Sequence, residues 1–209
     1  MKWQEFLLEF TERPLFNSSM LEIFPDDRHH IQVQLSRWRD SGKISQLRRE
    51  WYLIERPYRL KEVPVTFIAN RVVHPSYLSL DWALQYYEMI PEHVPNLTSV
   101  TTERSLQFVV QERLFIYHHI QPSLFTGYQY IQLNGHMINI AKPEKALFDK
   151  IYLFIQKNRF SIDWLKELRL QNLEHLDFAK FEFYLQKTNK RGLSKAIKLT
   201  TNYIKGQVL

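Results

Sequence analysis

The residues best suited to recognition chemistry crowd between positions 28 and 49: Arg28, Gln32, Ser36, Arg37, Arg39, Lys43, Arg48 and Arg49. Glutamine and arginine present paired hydrogen-bonding groups that match the major-groove edges of adenine and guanine. Lysine, arginine and serine also reach phosphate oxygens, which carry no base information. At helical spacing Gln32, Ser36 and Arg39 share one arc, with Arg28 and Arg37 nearer its flanks. Lys43, Arg48 and Arg49 follow directly in sequence. The pattern predicts a helix that reads duplex DNA and a basic segment beside it that grips the backbone. A merely solvated charged face is the alternative reading.

These side chains need elements to hold them. Ile31, Leu35 and Trp38 recur at i, i+4, i+7, which predicts a helix starting near Asp26 or Asp27, whose carboxylates cap free amides. Gly42 ends it, Ile44 opens an extended segment, and Trp51–Ile54 reads as a strand, so the two form a hairpin carrying Arg48 and Arg49. Upstream, Trp3, Phe6, Leu7 and Phe10 define a first helix closed by Pro14, and Asn17-Ser18-Ser19 caps a short helix from Met20 to Phe24. Three short helices and a hairpin predict a winged helix-turn-helix over residues 1–60. Charge is uneven in the same sense. Residues 28–61 hold nine Lys/Arg against three acids, and residues 1–27 hold two against six.

The chain has 209 residues, a formal charge of +6 and no cysteine. The charge favours a polyanionic partner, and the lack of thiols excludes disulfide scaffolds and thiolate metal sites and suits a cytoplasmic setting. Glu5, Glu9 and Glu12 interrupt the N-terminal stretch, which is not that of a signal peptide, and no apolar run reaches membrane-spanning length. There is no Gly-rich phosphate loop, no H-E-x-x-H and no G-x-S-x-G. Adjacent strand histidines such as His118 and His119 point to opposite faces, and His29-His30 lacks a third ligand nearby. Thr98, Ser99, Thr101, Thr102 and Ser105 offer hydroxyls without a base at a recognisable spacing. The expectation is a protein without enzymatic activity, metal or cofactor.

Arg56 to Pro64 reads as a linker and residues 65–209 as a second, mixed α/β domain with a small antiparallel or mixed sheet and a helical tail, an α+β chain overall. A helix is predicted over Ser76–Met89, since Leu80, Ala83, Leu84 and Tyr87 share a face. Strands are predicted at 97–101, 106–110, 115–119, 128–133 and 137–140, the last two joined by the hairpin signal Asn134-Gly135. Pro143 opens a helix with Ala146, Leu147, Ile151, Phe154 and Ile155 inward, and Glu144 suits its first turn. Further helices are predicted over 161–169, 172–188 and 193–204. Residues 180–209 carry seven Lys/Arg and one Glu, with Lys187, Lys190, Arg191, Lys195 and Lys198 as a candidate second basic surface for phosphates or an acidic partner.

Three segments resemble the AbiEi family of bacterial antitoxins and related transcriptional regulators. They are the wing region SQLRREWYLI; Pro75-Ser76-Tyr77-Leu78-Ser79 with Trp82-Ala83-Leu84 and Thr98-Ser99-Val100-Thr101-Thr102; and Ile140-Ala141-Lys142-Pro143-Glu144-Lys145-Ala146-Leu147-Phe148-Asp149-Lys150, the most specific. Family wings tend to have glycine before the aromatic strand residue, where this chain has Glu50. The resemblance implies an antitoxin that binds promoter inverted repeats, as a homodimer or otherwise, and represses its own operon. It also implies a nucleotidyltransferase-like toxin, counteracted with or without direct contact. A regulator of the same build without a toxin, and a protein-interaction module, are the rival readings.

Overall fold

The computed structural model describes residues 1–208, with side chains through 206. Helix α1 (Trp3–Phe10) starts where the Glu5 carboxylate accepts from the Lys2 amide at 2.8 Å. Strand β1 (Leu15–Asn17) follows, then a 3₁₀ segment, Ser18–Ile23, begun by Asn17, whose side chain accepts from the Ser19 amide at 2.9 Å. Helix α2 (Arg28–Asp40) is capped by Asp27, which accepts from the His30 amide at 2.9 Å, and buries Ile31, Leu35 and Trp38. Gly42, at φ +69°, makes the turn into β2 (Ile44–Arg48), which pairs with β3 (Trp51–Ile54). β1 was not foreseen. It pairs with β3 on the side away from β2, giving an antiparallel sheet in the order β1-β3-β2. Phe6, Phe10, Phe16, Leu21, Trp38, Ile44 and Ile54 form one apolar core.

Helix α3 (Val65–Val72) closes this first unit, Met1–Val72; the second begins at Val73. The 1–60 and 65–209 division expected from the prolines therefore shifts. Residues 56–64, expected as a linker, are tied back onto the first unit: Thr11 donates to the Tyr58 carbonyl and Arg59 to that of Ile54.

The second unit is built on a six-stranded mixed sheet. Its strands are β4 (Ser76–Leu78), β5 (Leu97–Thr101), β6 (Leu106–Val110), β7 (Arg113–His119), β8 (Tyr128–Leu133) and β9 (His136–Ala141), in the spatial order β6-β7-β5-β4-β9-β8. The pairings β4–β9 and β5–β7 are parallel and the rest antiparallel. Residues 76–78 are thus strand rather than the start of a helix. All three are buried and sit mid-sheet, where tertiary pairing outweighs helical periodicity, and α4 spans only Leu80–Tyr86. Asn134 and Gly135 take φ +49° and +78° in the β8–β9 turn, as that dipeptide signals. Helix α5 (Pro143–Phe154) packs with α4 and with the later helices α7 (Ala179–Leu185) and α8 (Leu193–Val208), and α6 (Ile162–Glu167) lies against α8 and stacks Trp164 on Phe154 of α5. The helix expected over 172–188 is confined to α7, because Leu173 and Leu176 are buried from irregular chain before it. Overall the fold is α+β, with helices and strands interspersed.

Candidate nucleic-acid interface

Helix α2 turns its apolar stripe inward, so its polar residues line the outside; Arg28, Gln32, Arg37 and Arg39 are exposed and Ser36 is half-buried. Their charges meet different fates. Arg28 donates to Glu22 at 3.1 Å across the 3₁₀ segment. The Arg39 guanidinium donates to Asp40, to Ser36 Oγ at 3.1 Å and to Gln46 Oε1 on β2 at 3.3 Å. That leaves one of its five N–H groups uncommitted. Gln32 and Arg28 line a shallow concavity of about 460 Å³ with Glu22 and Glu50 on its wall.

Beyond the helix, the Lys43 ammonium lies 5.0 Å from the Trp3 ring centre, and Arg48 reaches the Val72 carbonyl at 3.4 Å. Arg37 and Arg49 differ from the rest. Both are exposed, and among the described residues neither side chain has an ion pair or a hydrogen-bond partner. Arg49 and Glu50 form the tip of the β2–β3 hairpin, and Glu50 takes φ +66° in the place a glycine would fill with less strain.

The sequence count of +6 over residues 28–61 overstated the field of this region. Glu12 pairs with Lys61, Glu22 with Arg28, and Glu62 with both Arg56 and Arg59, and all three acids lie outside that window. Over residues 1–72 there are twelve Lys/Arg and ten Asp/Glu, a net of +2. Arg56 beside Glu62 holds its carboxyl below the ordinary value.

The second candidate surface is electrostatically cleaner. Lys187, Lys190, Arg191, Lys195 and Lys198 make no ion pair among the described residues. Gln121, Ser123, Lys187, Asn189 and Lys190 border a polar concavity of about 450 Å³ without an acid in its lining. Lys187 lies over the Phe183 ring at 4.5 Å, and its carbonyl accepts from Ser123 and Gln121.

Sequence reasoning missed a buried ionic cluster on α5. Lys145 and Asp149, one helical turn apart, form an ion pair with both side chains fully buried. Asp149 also accepts from Ser79 Oγ at 2.8 Å and from the Tyr77 hydroxyl at 3.0 Å, both reaching from β4 and its end. The Lys145 ammonium faces the rings of Phe148 and Tyr184, each at 5.3 Å. Burial pushes Asp149 up despite the lysine, pushes Lys145 down, and with the Asp149 charge lifts Tyr77 well above its ordinary value. Glu144, also buried, accepts from Lys180 at 2.8 Å and from the Asp177 amide at 3.1 Å. The signal was present as two charges spaced i, i+4 among the apolar residues of one helix, but spacing does not tell which helix face a sheet will cover. The cluster's chemistry is spent internally, tying the centre of the sheet to α5. Among the described residues no group of three His, Asp or Glu side chains is placed to hold a metal ion, and the His29 and His30 rings lie 6.3 Å apart.

No protein-family model matches this chain, and no curated protein matches it. No helix among the described residues is long and apolar enough to cross a membrane.

Proposed function

We propose that the first unit is a winged helix-turn-helix that binds duplex DNA, with α2 in the major groove and the β2–β3 hairpin as the wing. One observation carries the reading: α2 and the hairpin share one core, and each sends a solvent-facing arginine outward, Arg37 and Arg49, with no partner among the described residues. Unpaired guanidinium groups on a helix and on an adjoining turn suit phosphate contacts flanking a groove. The element order and the β1-β3-β2 sheet support it, since β1 anchors the hairpin to the helical layer. In this reading Gln32 and Ser36 are base-reading residues. Arg39 joins them only by exchanging its bonds to Asp40 and Ser36 for a base edge.

The wider role, an antitoxin in the cytoplasm that represses its own operon and counteracts a nucleotidyltransferase-like toxin, rests on the AbiEi resemblance. The test is binding of the full chain to the duplex upstream of its own gene across a salt series. The affinity falls steeply with salt and exceeds that for a scrambled duplex if the reading is right. The modest net charge of residues 1–72 and the acids Glu22 and Glu50 beside α2 favour one rival, a winged helix that binds protein. A salt-independent or absent DNA affinity selects that rival.

A further inference from the structure

Strand β8 lies at one edge of the six-stranded sheet, and its backbone alternation can be read directly. The Lys142 amide donates to the Gly127 carbonyl at 2.9 Å, so positions 127 and 142 form a hydrogen-bonded pair beyond the register Tyr128↔Ala141. Antiparallel pairs alternate, which places the N–H and C=O groups of Tyr128, Tyr130 and Gln132 on the side away from β9. Among the described residues these three have no backbone partner. A row of free donors and acceptors at a sheet edge is a template for another strand. Natural edges are normally blocked by charge, proline or a bulge. β8 has none of these: its pairing with β9 is continuous, and residues 128–141 contain no Asp, Glu, Lys, Arg or Pro. The opposite edge, β6, is shorter and is flanked by Glu103-Arg104 and Glu112-Arg113.

We propose that a second copy of this chain pairs with β8, antiparallel and about a two-fold axis at Tyr130. Only that centre serves the outward groups of both strands together: Tyr130 meets its own copy, and Tyr128 meets Gln132 in each direction, three hydrogen-bonded pairs in all. The exposed side chains agree with it. Tyr130 is 66% exposed and meets its own copy at the axis, while Met137, 54% exposed, lies on the same face of the β8–β9 hairpin one strand further out. An uncharged strand calls for an uncharged partner, and its own copy is one. The proposal concerns the second unit and stands whether or not the first binds DNA.

Sedimentation of the full chain over a concentration series tests it. The wild type shows a monomer–dimer equilibrium, and a species that stays monomeric to about 100 μM overturns the proposal, as does open-ended association. Tyr130→Lys and Tyr130→Glu each weaken dimerisation by about tenfold or more, because like charges face each other at the axis. An equimolar mixture of the two restores a dimer. Unchanged dimerisation in either variant, or no recovery on mixing, removes β8 from the interface. If either variant loses cooperative unfolding, Gln132→Lys, which sets an ammonium against Tyr128 at both outer pairs, takes its place with a severalfold loss expected, and an unaltered dimer again overturns the pairing.

Discussion

The two units differ in where an ion pair is buried on both sides: none is in the first, among the described residues, and one is in the second. In the first, the core is aromatic and aliphatic, pairs such as Lys61–Glu12 and Arg28–Glu22 are exposed, and the buried Arg59 side chain and N-terminal ammonium face the more exposed Glu62 and Asp26. In the second, an ion pair lies in the core beneath Tyr77 and Ser79, while the basic residues near the start of α8 pair with no acid among the described residues. A surface pair adds little to stability, since water already solvates its members and side-chain freedom is lost in making it. A buried pair fixes geometry, and each member becomes a liability once the other is gone. Among the described residues, only Lys145–Asp149 buries both members of an ion pair, and there charge specifies packing.

The largest expected effect breaks that contrast at its buried end. Asp149→Ala leaves the Lys145 ammonium uncompensated and costs about 3–5 kcal/mol in the second unit's unfolding transition. Lys145→Met with Asp149→Asn, which removes both charges at nearly constant volume and keeps an oxygen that can accept from Ser79 and Tyr77, costs less. Denaturant unfolding of the single and double variants checks it, and equal losses would show that packing rather than charge ties β4 to α5. The first unit's Arg28–Glu22 pair, exposed on both sides, supplies the control: Glu22→Ala leaves the midpoint in denaturant unchanged within error.

Next in size is the effect on binding. Replacing Arg37 and Arg49 together by Ala lowers the slope of log K against log salt by about 1–2 units on any duplex, because two phosphate contacts and their released counterions are lost. Arg28→Ala changes the slope less, since Glu22 already neutralises that guanidinium. Equal effects from Arg28 and Arg37 would show that the internal ion pairs open on DNA and do not set its contacts.

A smaller effect concerns the wing tip. Glu50 holds a left-handed conformation that costs a residue with a Cβ about 1–2 kcal/mol. Glycine relieves this and gives back part through the unfolded state. Glu50→Gly should thus raise the first unit's stability by up to about 1 kcal/mol in thermal or denaturant unfolding, whereas Glu50→Val lowers it.

The smallest is a titration. The folded-state pKa of Glu62 lies below its ordinary 4.5, first because Arg56 donates to it, so the pair's contribution is present above about pH 4.5 and is lost as pH falls through the folded value. Carboxyl NMR titration should give a midpoint below 4.5 that returns toward it in Arg56→Ala. An unmoved midpoint would mean that the pair is not held in solution.

Local chemistry settled much of this molecule in advance. Asp27 caps α2 because a carboxylate next to free amides does so in any context, and the Ile31–Leu35–Trp38 stripe needs only something apolar to face. The Asn134-Gly135 turn likewise follows from two residues that tolerate positive φ. The eight candidate residues from Arg28 to Arg49 could be found from side-chain chemistry and spacing. Which of them are free for a partner could not, because that depends on Glu22 reaching Arg28 and Gln46 reaching Arg39, whose distances are set by the chain's path. The same holds for Ser76–Leu78, where helical spacing pointed one way and pairing with both β5 and β9 decided the other. It holds most for Lys145 and Asp149. Their one-turn spacing was written in the sequence, but burial is a property of what covers a helix face. The sheet that delivers Tyr77 and Ser79 to Asp149 joins residues 70 or more positions apart, contacts that exist only once the tertiary fold has closed.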